Sequence, residues 1–208
     1  MDQELELKIK EIVTCVFEGV DFDLLSQYQK RKMIFSYLCD LVNYDVEFLK
    51  KIRDNAVYGT PISRSPKEEL RNVILNNKGI CSAISQYYKL LLEEVKITSY
   101  CVICDDGTPV NHQLSLVYDS DSGVYSFDDI TSVIVNKGNK SDFFDYDIEG
   151  AKSKGQGLKK IMDNEEFVIL PEDFINYLVG REKSFSEMLI FIPRNICSIK
   201  NLTKTKEM

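Results

Sequence analysis

The chain has 208 residues and a mass of 24.0 kDa, with 44% hydrophobic and 28% charged residues, which fits one domain with or without an added subdomain and excludes global disorder. Lys and Arg number 26 against 33 Asp and Glu, a formal net charge of -7 with no dominating basic patch, so neither nucleic acid nor an anionic membrane is an expected partner. No apolar run approaches the roughly 20 residues of a membrane span, and the opening MDQELELKIKEI lacks the basic and apolar regions of an export signal, so a cytoplasmic protein with reduced thiols is expected.

The first third reads as helix. Leu5, Ile9, Ile12, Val13 and Val16 form an apolar stripe at helical spacing, and a second stripe runs from Leu24 through Tyr28, Phe35 and Leu38 to Val42. Asn43 and Asp45 punctuate it, and Val46, Phe48, Leu49 and Ile52 start a short third helix. Residues 55–65, with Gly59 and Pro61, read as a loop. Ser65, Pro66 and Glu68 then fit an N-cap, a first helical position and a capping-box partner, for a helix that runs to about Leu75 and ends at Asn76-Asn77-Lys78-Gly79. The next helix begins at Ile80 or Cys81, with Cys81, Ile84, Tyr88, Leu91, Leu92 and Val95 on one face.

After Lys96 the period changes to alternation. A strand is expected over 97–104, ending at the turn Asp105-Asp106-Gly107. Residues 110–118 form a second, with His112, Leu114, Leu116 and Tyr118 on one face. A hairpin turn at 119–123 leads to a return strand over 124–128. The polar, Gly- and Lys-rich stretch 136–160 reads as a long surface loop or lid. A short strand at 166–170, a helix at 171–179, a last strand at 188–192 and a frayed tail at 201–208 complete the chain. The resulting division is an N-terminal helical part over 1–60, a core over 61–200 and the tail, the first two belonging to one domain.

The six cysteines, Cys15, Cys39, Cys81, Cys101, Cys104 and Cys197, are irregularly spaced. Most are expected to be small buried hydrophobes. Cys101 and Cys104 form a Cys-x-x-Cys, but an offset of three on a strand points the thiols to opposite faces and no second pair exists, so packing is expected rather than zinc. The single histidine, His112, excludes multi-histidine metal sites and must serve any mechanism that needs an imidazole.

Three features stand in order: Gly79-Ile80-Cys81 at a helix start, His112 in a strand, and Asp128 at the end of the next strand. A cysteine in the first turn of a helix faces free backbone N–H groups, which favour a thiolate and can hold an oxyanion. Gly79 is expected to allow a tight turn and leave room for an acyl group. A hairpin brings His112 beside a carboxylate that can fix its tautomer. Asp128 and Asp129 both qualify for that role. Strand parity favours Asp128, since Tyr125 and Phe127 occupy the other face. Asn76 and Asn77 are expected to cap the preceding helix.

Asn77-Lys78-Gly79-Ile80-Cys81, followed by Tyr87-Tyr88-Lys89-Leu90-Leu91 and Lys96-Ile97-Thr98, resembles the cysteine-helix segment of the transglutaminase-like superfamily. The run Asn111–Val117 resembles its histidine strand, and Val124-Tyr125-Ser126-Phe127-Asp128 its aspartate strand. The resemblance covers roughly residues 66–134. It implies an α+β, papain-like fold, with a helical N-terminal part and the nucleophile-bearing helix packed on an antiparallel sheet. It also implies a triad of Cys81 as nucleophile, His112 as base and then acid, and Asp128 as the orienting group. Members are protein cross-linkers, deamidases, cysteine proteases or peptide-amide hydrolases, so a protein or peptide substrate is expected and no cofactor is needed. A catalytically silent binding module on the same fold is the alternative, and acyl transfer from a thioester donor to a small amine is a third. The sequence departs from the family pattern twice: Leu114 stands where a Trp is frequent, and Asp128-Asp129-Ile130-Thr131 where Asp-Pro-Thr is frequent.

Overall fold

The computed structural model describes residues 2–105, 111–154, 157–163 and 166–167 and has an α+β architecture. Helix α1 (Gln3–Val16) starts behind Asp2, whose carboxylate accepts from the Leu5 N–H at 3.0 Å, and its predicted stripe supplies Leu5, Ile9 and Ile12 to the core. Helix α2 (Gln27–Leu41) opens with a reciprocal Ser26–Gln29 capping box. Strand β1 (Asn43–Tyr44) is two residues long and leads into α3 (Val46–Tyr58), which extends well beyond the short helix expected there, to a left-handed Gly59 at φ 69°. Helix α4 (Pro66–Asn76) carries the predicted Ser65–Glu68 capping box with Pro66 in its first turn, and Asn77 closes it in the left-handed conformation at φ 54°. Asn77 is therefore the helix cap that its residue type suggested.

Strand β2 (Lys78–Gly79) pairs in parallel with β1 and delivers the chain into α5 (Cys81–Glu94). The expected alternation then appears as β3 (Ser99–Asp105), β4 (His112–Asp119) and β5 (Val124–Asp128), an antiparallel meander. Helices α6 (Ile130–Asn136) and α7 (Ile148–Ser153) follow, and β6 (Gly157–Asp163) returns to the other edge of β3, with β7 (Glu166–Phe167) outside it. The sheet order is β5-β4-β3-β6-β7. The expected strand over 166–170 is described only for its first two residues. The helix over 171–179, the strand over 188–192, the tail and Cys197 lie outside the described residues.

The surface-loop reading of 136–160 is corrected. That stretch holds α7 and the start of β6, and Phe144 in its middle is buried, its ring centroid 5.0 Å from that of Phe35. Tyr146 exchanges backbone hydrogen bonds with Phe127 at 2.8 and 3.2 Å. Composition averaged over a polar window hides a few aromatic anchors that suffice to dock a segment, because each buries a large apolar area.

Helix α5 lies at the centre. Tyr87, Tyr88, Leu91 and Leu92 are fully buried, in one cluster with residues of α1, α2 and α4. Burying each such side chain contributes about 1.5–3 kcal/mol. This matters because the α5 N-cap is Ile80, which offers no side-chain acceptor. A missing cap costs about 1 kcal/mol, and core burial offsets it several times over. The first turn of α5 therefore keeps its N–H groups without a capping side chain on them, at the point where Cys81 sits. Among the described residues no helix is long and apolar enough to cross a membrane.

Gly79 is explained by packing rather than by a left-handed turn. A Cβ at this position would meet Cβ of Val73 at 2.9 Å, so glycine is what lets the segment before α5 lie against α4.

Candidate active site

Cys81 occupies the first position of α5 and is buried, close enough to the His112 ring to act on its charge. His112 is the first residue of β4, so it stands at the end of the strand rather than within it. Its Nε2–H donates to Asp129 Oδ2 at 2.9 Å, which leaves Nδ1 as the second ring nitrogen. The single imidazole thus has a carboxylate on one side, and Cys81 is among the groups that act on its charge.

That carboxylate is not Asp128, and the parity argument is corrected. In an antiparallel pair, directly opposed residues share a face. The register sets Ser115 opposite Asp128 and Leu116 opposite Phe127. Asp128 thus shares the face of Ser115 and Val117, not that of His112, Leu114 and Leu116. Strand β5 ends there, and Asp129 becomes the N-cap of α6, with φ -128° and ψ 81°. Its Oδ1 accepts from the Ser132 N–H at 3.0 Å, and its Oδ2 accepts from the Ser132 hydroxyl at 2.7 Å as well as from His112. One carboxylate caps a helix and orients the imidazole together.

Asp128 has a separate role. Arg31, 97 residues upstream on α2, binds it through two parallel bonds of 2.7 Å, Nε to Oδ2 and Nη2 to Oδ1. The Tyr88 hydroxyl donates to Oδ2 at 2.8 Å and the Asp145 N–H to Oδ1 at 2.9 Å. Arg31 and Asp128 are both buried, and Arg31 also reaches Asp145 at 3.0 Å and lies 4.7 Å from the centre of the Phe144 ring. This ion pair ties α2 and α5 to the last residue of β5, one position before the carboxylate that faces His112.

Tyr44, at the end of β1, is a site residue that the sequence reading missed. Its phenol lies beside Cys81, at the start of α5. Burial and the neighbouring Cys81 raise the phenol above its usual range, so it keeps its proton and remains a donor. The β1–β2 bridge puts it there: Asn43 N–H donates to Asn77 O at 2.8 Å and Asp45 N–H to Gly79 O at 2.9 Å. A two-residue parallel bridge has no sequence periodicity by which it could be found. Ile80 N–H is held by Glu69 Oε1 at 3.3 Å, and Asn72 Nδ2 donates to the Lys78 carbonyl, so the segment leading into Cys81 is tied to α4 at two points. Cys101 and Cys104 are buried on β3, where Cys104 lies opposite His112 in register.

The electrostatics of the pair decide its charge state. Burial opposes an imidazolium, but the charge and hydrogen bond of Asp129, with a further contribution from Cys81, overcome it and push His112 up to about 10. Burial likewise opposes a charged Asp129, yet the His112 charge and the His112 and Ser132 hydrogen bonds hold it below the usual carboxylate range. A raised histidine stabilises the fold fully below its ordinary value of 6.5, and that contribution is lost as pH rises through about 10. The lowered aspartate contributes above its ordinary 3.8 and loses its share as pH falls through its depressed value. The thermal midpoint of the wild type is therefore expected to decline between pH 6.5 and 10 by more than that of His112→Gln, in melts followed by circular dichroism. Parallel pH profiles for the two proteins would contradict the charged pair.

No family model and no curated protein matches the sequence. Among solved structures, the chain is similar to a TGase at 19% identity and a TM-score of 0.49, over 67% of this chain and 35% of that one. It is also similar to a proposed cysteine protease from Cytophaga hutchinsonii at 14% identity and a TM-score of 0.43, over 66% of this chain and 45% of that one. The chain thus spans about a third of the first structure and under half of the second.

Proposed function

We propose that this protein is a transglutaminase-like thiol enzyme that attacks peptide or glutamine-type amide carbonyls with Cys81 and passes through a thioester. The observation that carries this reading is the His112 ring held by the Asp129 carboxylate beside Cys81, the first residue of a helix whose N-cap offers no side-chain acceptor. The proton shared by the sulfur and Nδ1 stays on the ring as the sulfur bonds to the carbonyl carbon. The resulting oxyanion accepts from the Cys81 N–H and from the neighbouring Tyr44 hydroxyl. Collapse breaks the carbon–nitrogen bond, and Nδ1 delivers its proton to the departing amine. Water or a second amine, deprotonated by His112, then attacks the thioester and frees the sulfur. No step calls on a metal or cofactor. Water as the acceptor gives a protease or deamidase, and a lysine-like amine gives a cross-linker.

The test is covalent labelling of Cys81 by an activated acyl ester and, separately, by iodoacetamide, both read by intact mass. Cys81→Ala is expected to abolish both labels at this site and His112→Ala to slow acylation by about 10²–10⁴-fold. Tyr44→Phe is expected to slow acylation about 100-fold but alkylation far less, because displacement at iodoacetamide develops no carbonyl oxyanion. Equal loss in both reactions would remove Tyr44 from the oxyanion role. A Cys81 that accepts no acyl group in folded protein would leave the silent binding module as the function. A glutamine-bearing peptide with and without a fluorescent primary amine separates hydrolysis from cross-linking.

A further inference from the structure

The peptide unit that joins Gly79 to Ile80, one before the unit that carries the Cys81 N–H, is held at both ends. Its carbonyl accepts from the Asp45 N–H at 2.9 Å, and its N–H donates to Glu69 Oε1 at 3.3 Å. One unit earlier, the Lys78 carbonyl accepts from Asn72 Nδ2. Glu69 and Asn72 stand three residues apart on α4 and so share the side of the helix that meets this segment. One unit later, the Ile80 carbonyl accepts from the Ile84 N–H at 3.0 Å, as the N-cap carbonyl of α5. A peptide unit is planar, so two held ends fix its orientation. Only the φ and ψ of Ile80, -99° and 174°, then separate that fixed plane from the Cys81 N–H.

The side chain that holds the N–H end is itself braced. Glu69 is buried, and its other oxygen accepts from Arg64 Nη1 at 2.7 Å. Arg64 Nη2 donates to Asp45 Oδ2 at 2.7 Å, so one guanidinium bridges the two residues that grip the Gly79–Ile80 unit. Asp45 Oδ1 caps α3 through the Phe48 N–H at 3.1 Å, and Lys78 lies 3.5 Å from the same oxygen. A buried charge cluster adds little stability over apolar side chains of matched volume. What this one supplies is direction, because Glu69 cannot swing away from Ile80 without also leaving Arg64.

We propose that Glu69 is a positioning residue for acyl transfer: it fixes the Gly79–Ile80 peptide and through it aims the Cys81 N–H at the oxyanion. The assignment rests on the acyl-transfer reading and adds to it a residue outside the triad. Glu69 touches neither the sulfur nor the imidazole, and it acts through the backbone of Ile80.

Folded wild type, Glu69→Leu, Glu69→Gln and Arg64→Lys are labelled at Cys81 with an activated acyl ester and, separately, with iodoacetamide, both read by intact mass. Acylation develops an oxyanion and alkylation does not, so the ratio of the two rates reports the aim of the N–H and does not move with stability alone. Glu69→Leu, which leaves the Ile80 N–H without its acceptor, is expected to lower the ratio about 10- to 100-fold. Glu69→Gln keeps an oxygen for that N–H and is expected to stay within about threefold of the wild type. Should Glu69→Leu fail to fold, Arg64→Lys, at a half-buried position on the α3–α4 connection, keeps the cation but loses the fork and is expected to lower the ratio about threefold or more. A ratio within about twofold of the wild type in folded Glu69→Leu, or in Arg64→Lys where the former does not fold, overturns the assignment. A Glu69→Gln protein that loses as much as Glu69→Leu also overturns it, since the retained oxygen would then do nothing. A wild type that takes iodoacetamide but no acyl group overturns the acyl-transfer reading itself, and the positioning role with it.

Discussion

Asp129→Asn is expected to slow acylation of Cys81 by about a thousandfold or more, while Asp128→Asn in folded protein leaves it within about an order of magnitude. The asymmetry follows from what each carboxylate touches. Asp129 Oδ2 is the acceptor for His112 Nε2–H at 2.9 Å and fixes which ring nitrogen stays available for proton transfer. An amide has no charge to stabilise the imidazolium. Turned to relieve its own N–H donors, it would present them to Nε2 and invert the tautomer. Without the aspartate charge the burial of His112 is unopposed from that side, so its proton affinity should fall steeply. The fold should survive, because an asparagine oxygen can still accept from Ser132 N–H and cap α6. Labelling rates across pH 5–10 with an activated acyl ester give the comparison. An Asp129→Asn protein that acylates at the wild-type rate would remove Asp129 from the mechanism.

Arg31→Met is expected to cost about 3–5 kcal/mol of stability, the largest single effect we anticipate outside the central core. It would strand Asp128 as a buried carboxylate with only the Tyr88 hydroxyl and the Asp145 N–H to hold it. Removing both charges, as Arg31→Met with Asp128→Leu, should cost much less than Arg31→Met alone, since a matched apolar pair leaves no unpaired charge. Denaturant unfolding of the two single variants and the double variant measures the coupling. The consequence reaches the site, because Asp128 and Asp129 are consecutive. Releasing Asp128 frees the end of β5, and with it the carboxylate that steadies His112. Folded Arg31→Lys, which keeps the charge but loses the parallel fork, is expected to lower acylation of Cys81 about tenfold with a smaller loss of stability. Additive single-variant costs in the double variant would show that the pair is not coupled.

The hydrogen bonding around Cys81 accounts for a helix that breaks the usual capping rules. Helices α2 and α4 start with reciprocal Ser boxes, whereas α5 starts with Ile80, whose own N–H is held by Glu69 from a neighbouring helix. A side-chain cap on α5 would hold the very N–H groups that an oxyanion needs. Stability from Tyr87, Tyr88, Leu91 and Leu92 permits this arrangement.

Several features were legible in the sequence because they are local. The Ser65-Pro66-x-Glu68 cap, the Asn77 stop, the apolar stripe of α5 with Cys81 in its first turn, and the hairpin of β4 and β5 all rest on interactions within a few residues, so residue type and spacing determine them. The same locality located Cys81 and His112 as the thiol and ring to watch. Tertiary structure alone decided which aspartate meets the ring, because a strand register is set by packing across the sheet and a shift of one residue exchanges its faces. It alone brought Tyr44 to Cys81 through a two-residue bridge, and Arg31 to Asp128 across 97 positions of sequence. Such contacts form when distant segments share one core, and nothing in the residues between them records the distance that folding removes.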